Sequence, residues 1–189
     1  MSELATRTDK LPVPQARGAV SARESPLQYL TFSLGGEMFG VGILNVKEII
    51  EYGTVTEIPM MPRFIRGVIN LRGSVVPVVD LSCRFGNELT RIGRRSCIVI
   101  VELPENEDQP VIGVVVDSVS EVLEIQPSDI EPPPSFGARI RADFILGMGK
   151  VGGRFVILLN VGKVLAADEI ALLAGMGNGQ LAEATHAGA

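Results

Sequence analysis

The chain has 189 residues, of which 46% are hydrophobic and 21% charged, and its formal net charge of -5 has the wrong sign for neutralising a phosphate backbone, so generic nucleic-acid binding is disfavoured. Its one histidine, His186, stands near the end of the chain, which leaves no material for a Ser-His-Asp or Cys-His apparatus or a multi-histidine metal site, and neither a catalytic residue nor a metal ligand is expected. Two cysteines, Cys83 and Cys97, have neither metal-ligand spacing nor the density of a disulfide scaffold, which points to a reducing, cytoplasmic setting.

Residues 1–26 mix charges with Thr, Ser, Pro and Ala, lack the apolar run of a signal peptide and show no sustained periodicity, so they are expected to be a disordered extension. The folded body is expected over 27–174, with a flexible tail at 175–189. Within the body, short runs of Val, Ile and Phe between Gly and Pro predict strands at 28–34, 37–41, 54–58, 67–71, 74–79, 97–103, 111–116, 121–125, 145–151 and 154–160. Gly35-Gly36 and Gly152-Gly153 mark two hairpins, because glycine supplies the positive φ of primed turns. Helical signals are confined to 44–50, a turn near 81–85 and the C-terminal stretch 161–174, where Asp168 could cap a short piece. No apolar run approaches the roughly 18 residues of a spanning helix, so no membrane insertion is expected.

Self-similarity organises these strands. Residues 40–51 realign with 113–124, with five identities, and 64–73 realign with 144–153; Pro59 meets Pro132. A duplicated unit of roughly 70 residues with five short strands suits a small closed barrel, so two barrels packed on each other are expected, with a groove between them and two related outer ends.

The pattern G-x-G-x-x-G occurs at 147–152, but the sequence that follows, Arg154 to Leu159, reads as a strand and not as the helix a pyrophosphate needs. A nucleotide-binding barrel is therefore only a remote alternative. Glu102, Glu105, Glu107 and Asp108 crowd a stretch with Pro104 and Pro110 that reads as a solvated hairpin loop. Residues 1–62 sum to -2, 63–95 to +5 (seven arginines against Asp80 and Glu88) and 96–189 to -8, so the molecule is expected to be bipolar and to steer acidic proteins to its basic side. Arg72 stands out because it lies in the tight Asn70-Leu71-Arg72-Gly73 turn, a position suited to recognition. Ile43 and Val46 either line the groove for a partner helix or plug their own barrel.

The strings Phe39-Gly40-Val41 with Ile43-Leu44-Asn45-Val46-Lys47-Glu48-Ile49, Pro62 to Gly73, Pro77-Val78-Val79-Asp80-Leu81 and Gly113 to Asp117 resemble the CheW family of chemotaxis coupling proteins. The resemblance runs over 27–174. It implies a mainly β fold of two tandem SH3-like five-stranded barrels with short helices, one of them C-terminal, and no catalysis or cofactor. It also implies an adaptor, recruited to membrane-associated arrays, that links the cytoplasmic tips of transmembrane chemoreceptors to the regulatory domain of a CheA-type histidine kinase. Receptor binding is assigned by the resemblance to Ile43, Val46, Glu48, Leu71, Arg72 and Cys97, with Glu48 and Arg72 as an ion pair, and kinase binding to Gly67, Val119 and Gly147. Gly67 and Gly147 are equivalent in the duplication, where they serve close backbone approach or merely a bend in their strands. End-to-end packing of like barrels would allow self-association or a ring with the kinase. Service in a non-flagellar chemosensory array is the alternative within the same class.

Overall fold

The computed structural model describes residues 25–103, 110–134 and 140–165. The terminal extensions, Asp168 and the carboxylates Glu105, Glu107 and Asp108 lie outside the described residues.

Eleven strands form among the described residues: β1 (Leu27–Leu34), β2 (Glu37–Gly42), β3 (Val46–Glu51), β4 (Ile65–Leu71), β5 (Ser74–Asp80), β6 (Cys97–Glu102), β7 (Val111–Val116), β8 (Ser118–Ile125), β9 (Ile130–Glu131), β10 (Ile145–Val151) and β11 (Arg154–Leu159). Two single-turn helices, α1 (Leu81–Arg84) and α2 (Val161–Val164), follow β5 and β11, each capped by the residue before it: Asp80 accepts from the Cys83 amide and Asn160 from the Lys163 amide, both at 3.2 Å. The fold is mainly β, with the duplication written in its element order. Hairpin β1–β2 corresponds to β6–β7, β3 to β8, hairpin β4–β5 to β10–β11, and α1 to α2.

The two sheets do not follow the two repeats as consecutive stretches of chain. One has the order β8-β1-β2-β11-β10-β9 and the other β3-β6-β7-β5-β4, so each takes one hairpin from one repeat and the remaining strands from the other. The joints are parallel pairs, β2 with β11 and β5 with β7. Each sheet then closes into a barrel where a strand's continuation returns to the far edge. After β8 the chain turns through Pro127–Asp129 into β9, which pairs with β10; after β3 it reaches Thr56, which bridges Val68 of β4.

Burial follows from this exchange. The largest apolar cluster lies between the barrels and draws on both: Leu30, Phe32 and Phe39 from one, Val99, Val101 and Val114 from the other. Phe32, Phe39, Phe85 and Phe144 run through it with successive ring centroids 6.1, 5.7 and 6.2 Å apart. Each barrel keeps a small interior of its own, around Ile98, Ile100 and Val115 in one and Tyr29, Ile125 and Leu158 in the other. Strand β6 thus has both faces covered, which is why Cys97 to Val101 reads as an unbroken apolar run instead of an alternating one.

Two local expectations are corrected. Residues 44–50 are not helical: a 3-10 turn at Ile43–Asn45 gives way to β3, whose burial alternates with period two because it pairs with β6. The apolar residues there had suggested a helix face, and a partner strand overrides that weak local preference. The strand expected at 54–58 shrinks to the single bridge at Thr56. The glycine-rich 147–152 pattern runs into a hairpin, Gly152 and Gly153 at φ +55° and +76°, and then strand β11, so no helix terminus is there to hold a phosphate.

Candidate functional site

The β4–β5 hairpin turns through Arg72 and Gly73, both at positive φ (+50° and +87°), and the Asn70 side chain accepts from the Gly73 amide at 2.9 Å. The equivalent turn of the other barrel is Gly152-Gly153, and the β1–β2 turn is Gly35-Gly36, with the same signs of φ. An arginine thus occupies a left-handed position that the β1–β2 and β10–β11 turns give to glycine, at a backbone cost of about 1–2 kcal/mol.

Its side chain makes a two-pronged contact. Arg72 Nη1 and Nη2 each donate at 2.9 Å to the two carboxylate oxygens of Glu48, the paired geometry that fixes a guanidinium plane. The arginine side chain is 78% exposed and the glutamate 24%. At that exposure the pair contributes about 0–1 kcal/mol to the fold, less than the turn costs, so its effect is to orient the surface. Leu71, Ser74, Val76 and Val111 line the adjoining cleft with Lys47, whose ammonium pairs with Glu102 at 2.9 Å.

Glu48 sits where the β3–β6 register slips by one residue. Without that bulge Val46 and Ile50 would share a face; with it Val46 packs on the core between the barrels and Ile50 on the interior of its own barrel. The other barrel has the matching slip in β8, where Glu121, the counterpart of Glu48, is held by its backbone: the Thr31 hydroxyl donates to its carbonyl at 2.7 Å and accepts from its amide at 3.3 Å. In the equivalent turn Gly152 takes the place of the arginine. The scaffold is duplicated, and the ion pair is not.

The structure therefore brings Glu48, Leu71 and Arg72 together at one end of the second barrel. Ile43 lines a separate groove bounded by Leu27, Leu44, Leu146, Val161 and Gly162, where Leu44 is 96% exposed. Val46 does not line that groove; the bulge turns it onto the central core. Cys97 lies at the opposite end of β6 from the cleft, half-buried, with its thiol donating to the Arg95 carbonyl at 3.3 Å.

Gly67, Gly147 and Val119 have packing roles. A Cβ on Gly67, at φ +140°, would lie 2.0 Å from the Thr56 carbonyl oxygen, the group that accepts from the Val68 amide at 2.9 Å and closes the barrel. A Cβ on Gly147 would lie 2.5 Å from Ile130 and 2.9 Å from the Glu131 carbonyl oxygen, at the matching seam. Both stand at equivalent bulges, a placement the sequence could mark only as two aligned glycines. Val119 packs on the central core in register with Phe32.

Among the described residues no group of His, Cys, Asp and Glu could hold a metal ion, and burial followed by the Asp80 carboxylate pushes the Cys83 thiol up, away from a nucleophilic thiolate. No described helix is long and apolar enough to cross a membrane.

A family profile described as the CheW-like domain matches residues 28–169. The chain belongs to that family. This CheW-like chain is 38% identical over 146 residues to the chemotaxis protein CheW of Klebsiella aerogenes, covering 77% of itself and 86% of that protein. It is also 35% identical over 150 residues to protein FrzA of Myxococcus xanthus, with 78% and 91% covered. Its fold matches the crystal structure of the scaffolding protein TtCheW from Thermoanaerobacter tengcongensis at a TM-score of 0.67 and 34% identity, over 78% of this chain and 93% of that one.

Proposed function

We propose that this CheW-like chain is a non-enzymatic, cytoplasmic adaptor of chemotaxis signalling that joins the cytoplasmic tips of chemoreceptors to a CheA-type histidine kinase and is recruited to the arrays they form. The observation that carries the reading is the Arg72–Glu48 pair: an arginine held in a glycine conformation, at one of two otherwise matching barrel ends, by a contact too exposed to be there for stability. The exposed pair, Leu71 beside it and the groove at Ile43 and Leu44 form the receptor-facing surface; the seams at Gly67 and Gly147 shape the two barrel ends offered to the kinase's regulatory domain.

The test is a reconstituted mixture of receptor fragment, kinase and this protein, in which autophosphorylation is followed as the adaptor is varied. Arg72→Glu sets two carboxylates against each other, and it is expected to lose receptor capture and kinase stimulation at an unchanged melting temperature. Wild-type stimulation by a folded Arg72→Glu protein would remove the basis of the assignment.

A further inference from the structure

At the opposite end of β5 from the Arg72 hairpin, about 20 Å away by strand rise, the chain between α1 and β6 carries Arg91-Ile92-Gly93-Arg94-Arg95. All three arginines are exposed, Ile92 is 41% exposed between them, and none of the three makes an ion pair among the described residues. Both ends of the loop are pinned by buried polar residues. Thr90 donates its amide to Asp80 Oδ2 at 2.9 Å and its hydroxyl to Asp80 Oδ1 at 3.0 Å, while its carbonyl accepts from Arg66. The Ser96 hydroxyl accepts from the Gly93 amide at 2.8 Å, its own amide donates back to the Gly93 carbonyl, and its carbonyl accepts from the Tyr52 amide.

Asp80 is fully buried, and Arg66 pairs with it at 2.8 Å. An ion pair in such a place is weak support for stability and good support for one fixed geometry. The duplicated half isolates what that geometry serves: Leu146 replaces Arg66, Asn160 replaces Asp80, and the sequence following α2 contains no arginine. Buried anchor and arginine cluster occur together in one repeat and are both missing from the other.

We propose that the Arg91–Arg95 loop is a preorganised docking surface for a short acidic segment of a partner protein, its carboxylates meeting the three guanidinium groups and an aliphatic residue meeting Ile92. Charge decides between anionic partners. Outside 63–95 the chain sums to -10, so an extended polyanion such as a duplex or an anionic bilayer would be repelled by the rest of the molecule, whereas a compact acidic peptide engages the loop alone. Holding the loop in advance spares the ordering cost of binding.

The experiment is a titration of the full, isotopically labelled chain with a glutamate-rich peptide carrying one central leucine, followed by amide chemical shifts. Perturbations are expected at residues 90–96, with affinity falling as salt rises. The double variant Arg94→Glu with Arg95→Glu, exposed and therefore folded, should bind at least about tenfold more weakly. Thr90→Val keeps every arginine and both backbone contacts but removes the hydroxyl bond to Asp80, which loosens one end of the loop, so a smaller, measurable loss is expected there as well. Arg72→Glu should leave this binding untouched, which separates the result from that of the adaptor reading. Shifts centred on the β4–β5 hairpin, full affinity in the double variant or in Thr90→Val, or tighter binding to phosphatidylserine vesicles or duplex DNA would overturn the proposal.

Discussion

Arg72 is the residue at which conformation and function separate. Arg72→Gly relieves the left-handed strain and removes the contact to Glu48, and two of the hairpins already show that the turn runs well on glycine pairs. The strain relief, the lost exposed pair and the added freedom of the unfolded chain nearly cancel, so the denaturation midpoint should correspond to a change of less than about 1 kcal/mol. Receptor capture should nevertheless fall, because the guanidinium is gone. At Gly67 the opposite is expected: an added methyl cannot share space with the Thr56 carbonyl, and Gly67→Ala should lose more than about 2 kcal/mol in urea unfolding, since backbone must move. Gly147→Ala, at an ordinary φ and facing in part the flexible Ile130 side chain, should lose less. The turn at Arg72 was legible in the sequence because Asn, Arg and Gly between two apolar runs specify it. That Gly67 closes a barrel was not, because the group it meets lies eleven residues upstream on a segment whose single bridge leaves no periodic signal.

At the scale of elements, β6 and the aromatic row set the stability. Phe85 packs between Phe39 and Phe144, and Phe85→Ala should destabilise the protein by about 3–5 kcal/mol, read from the shift of the chemical denaturation midpoint at constant slope. Residues 46–51 mix apolar and charged side chains with Ile49 and Ile50 adjacent, so the sequence lacks the alternation that the burial of β3 shows, and a helix is the natural expectation. Where the pairing of the two strands is regular, as in β1 and β2, the Gly-Gly turn and the flanking apolar runs agree and mark the hairpin in the sequence.

The whole molecule is two barrels that neither repeat builds by itself. Internal self-similarity made the duplication readable, but the exchange of hairpins leaves no trace in one sequence, because β2 and β7 are equally good partners for β11 and β5 in composition. The consequence is cooperative: a fragment ending at residue 103 lacks the strands that complete the first barrel and half of the central core, so its circular dichroism and proton spectrum should be those of an unfolded chain. Added to the complementary fragment, it should recover the sheet signal. Each barrel end is then presented at a fixed angle to the other by a shared core, which suits a protein whose work is to hold partners in register.

The most direct test of that role is kinase autophosphorylation in receptor-containing nanodiscs, comparing the wild-type protein, Arg72→Glu and the charge-exchanged pair Glu48→Arg with Arg72→Glu. A surface that partners read through this arginine predicts that both variants fold, that each stimulates the kinase at least about tenfold less than wild type, and that restoring the ion pair in reverse does not restore coupling. Full stimulation by either folded variant would contradict the account.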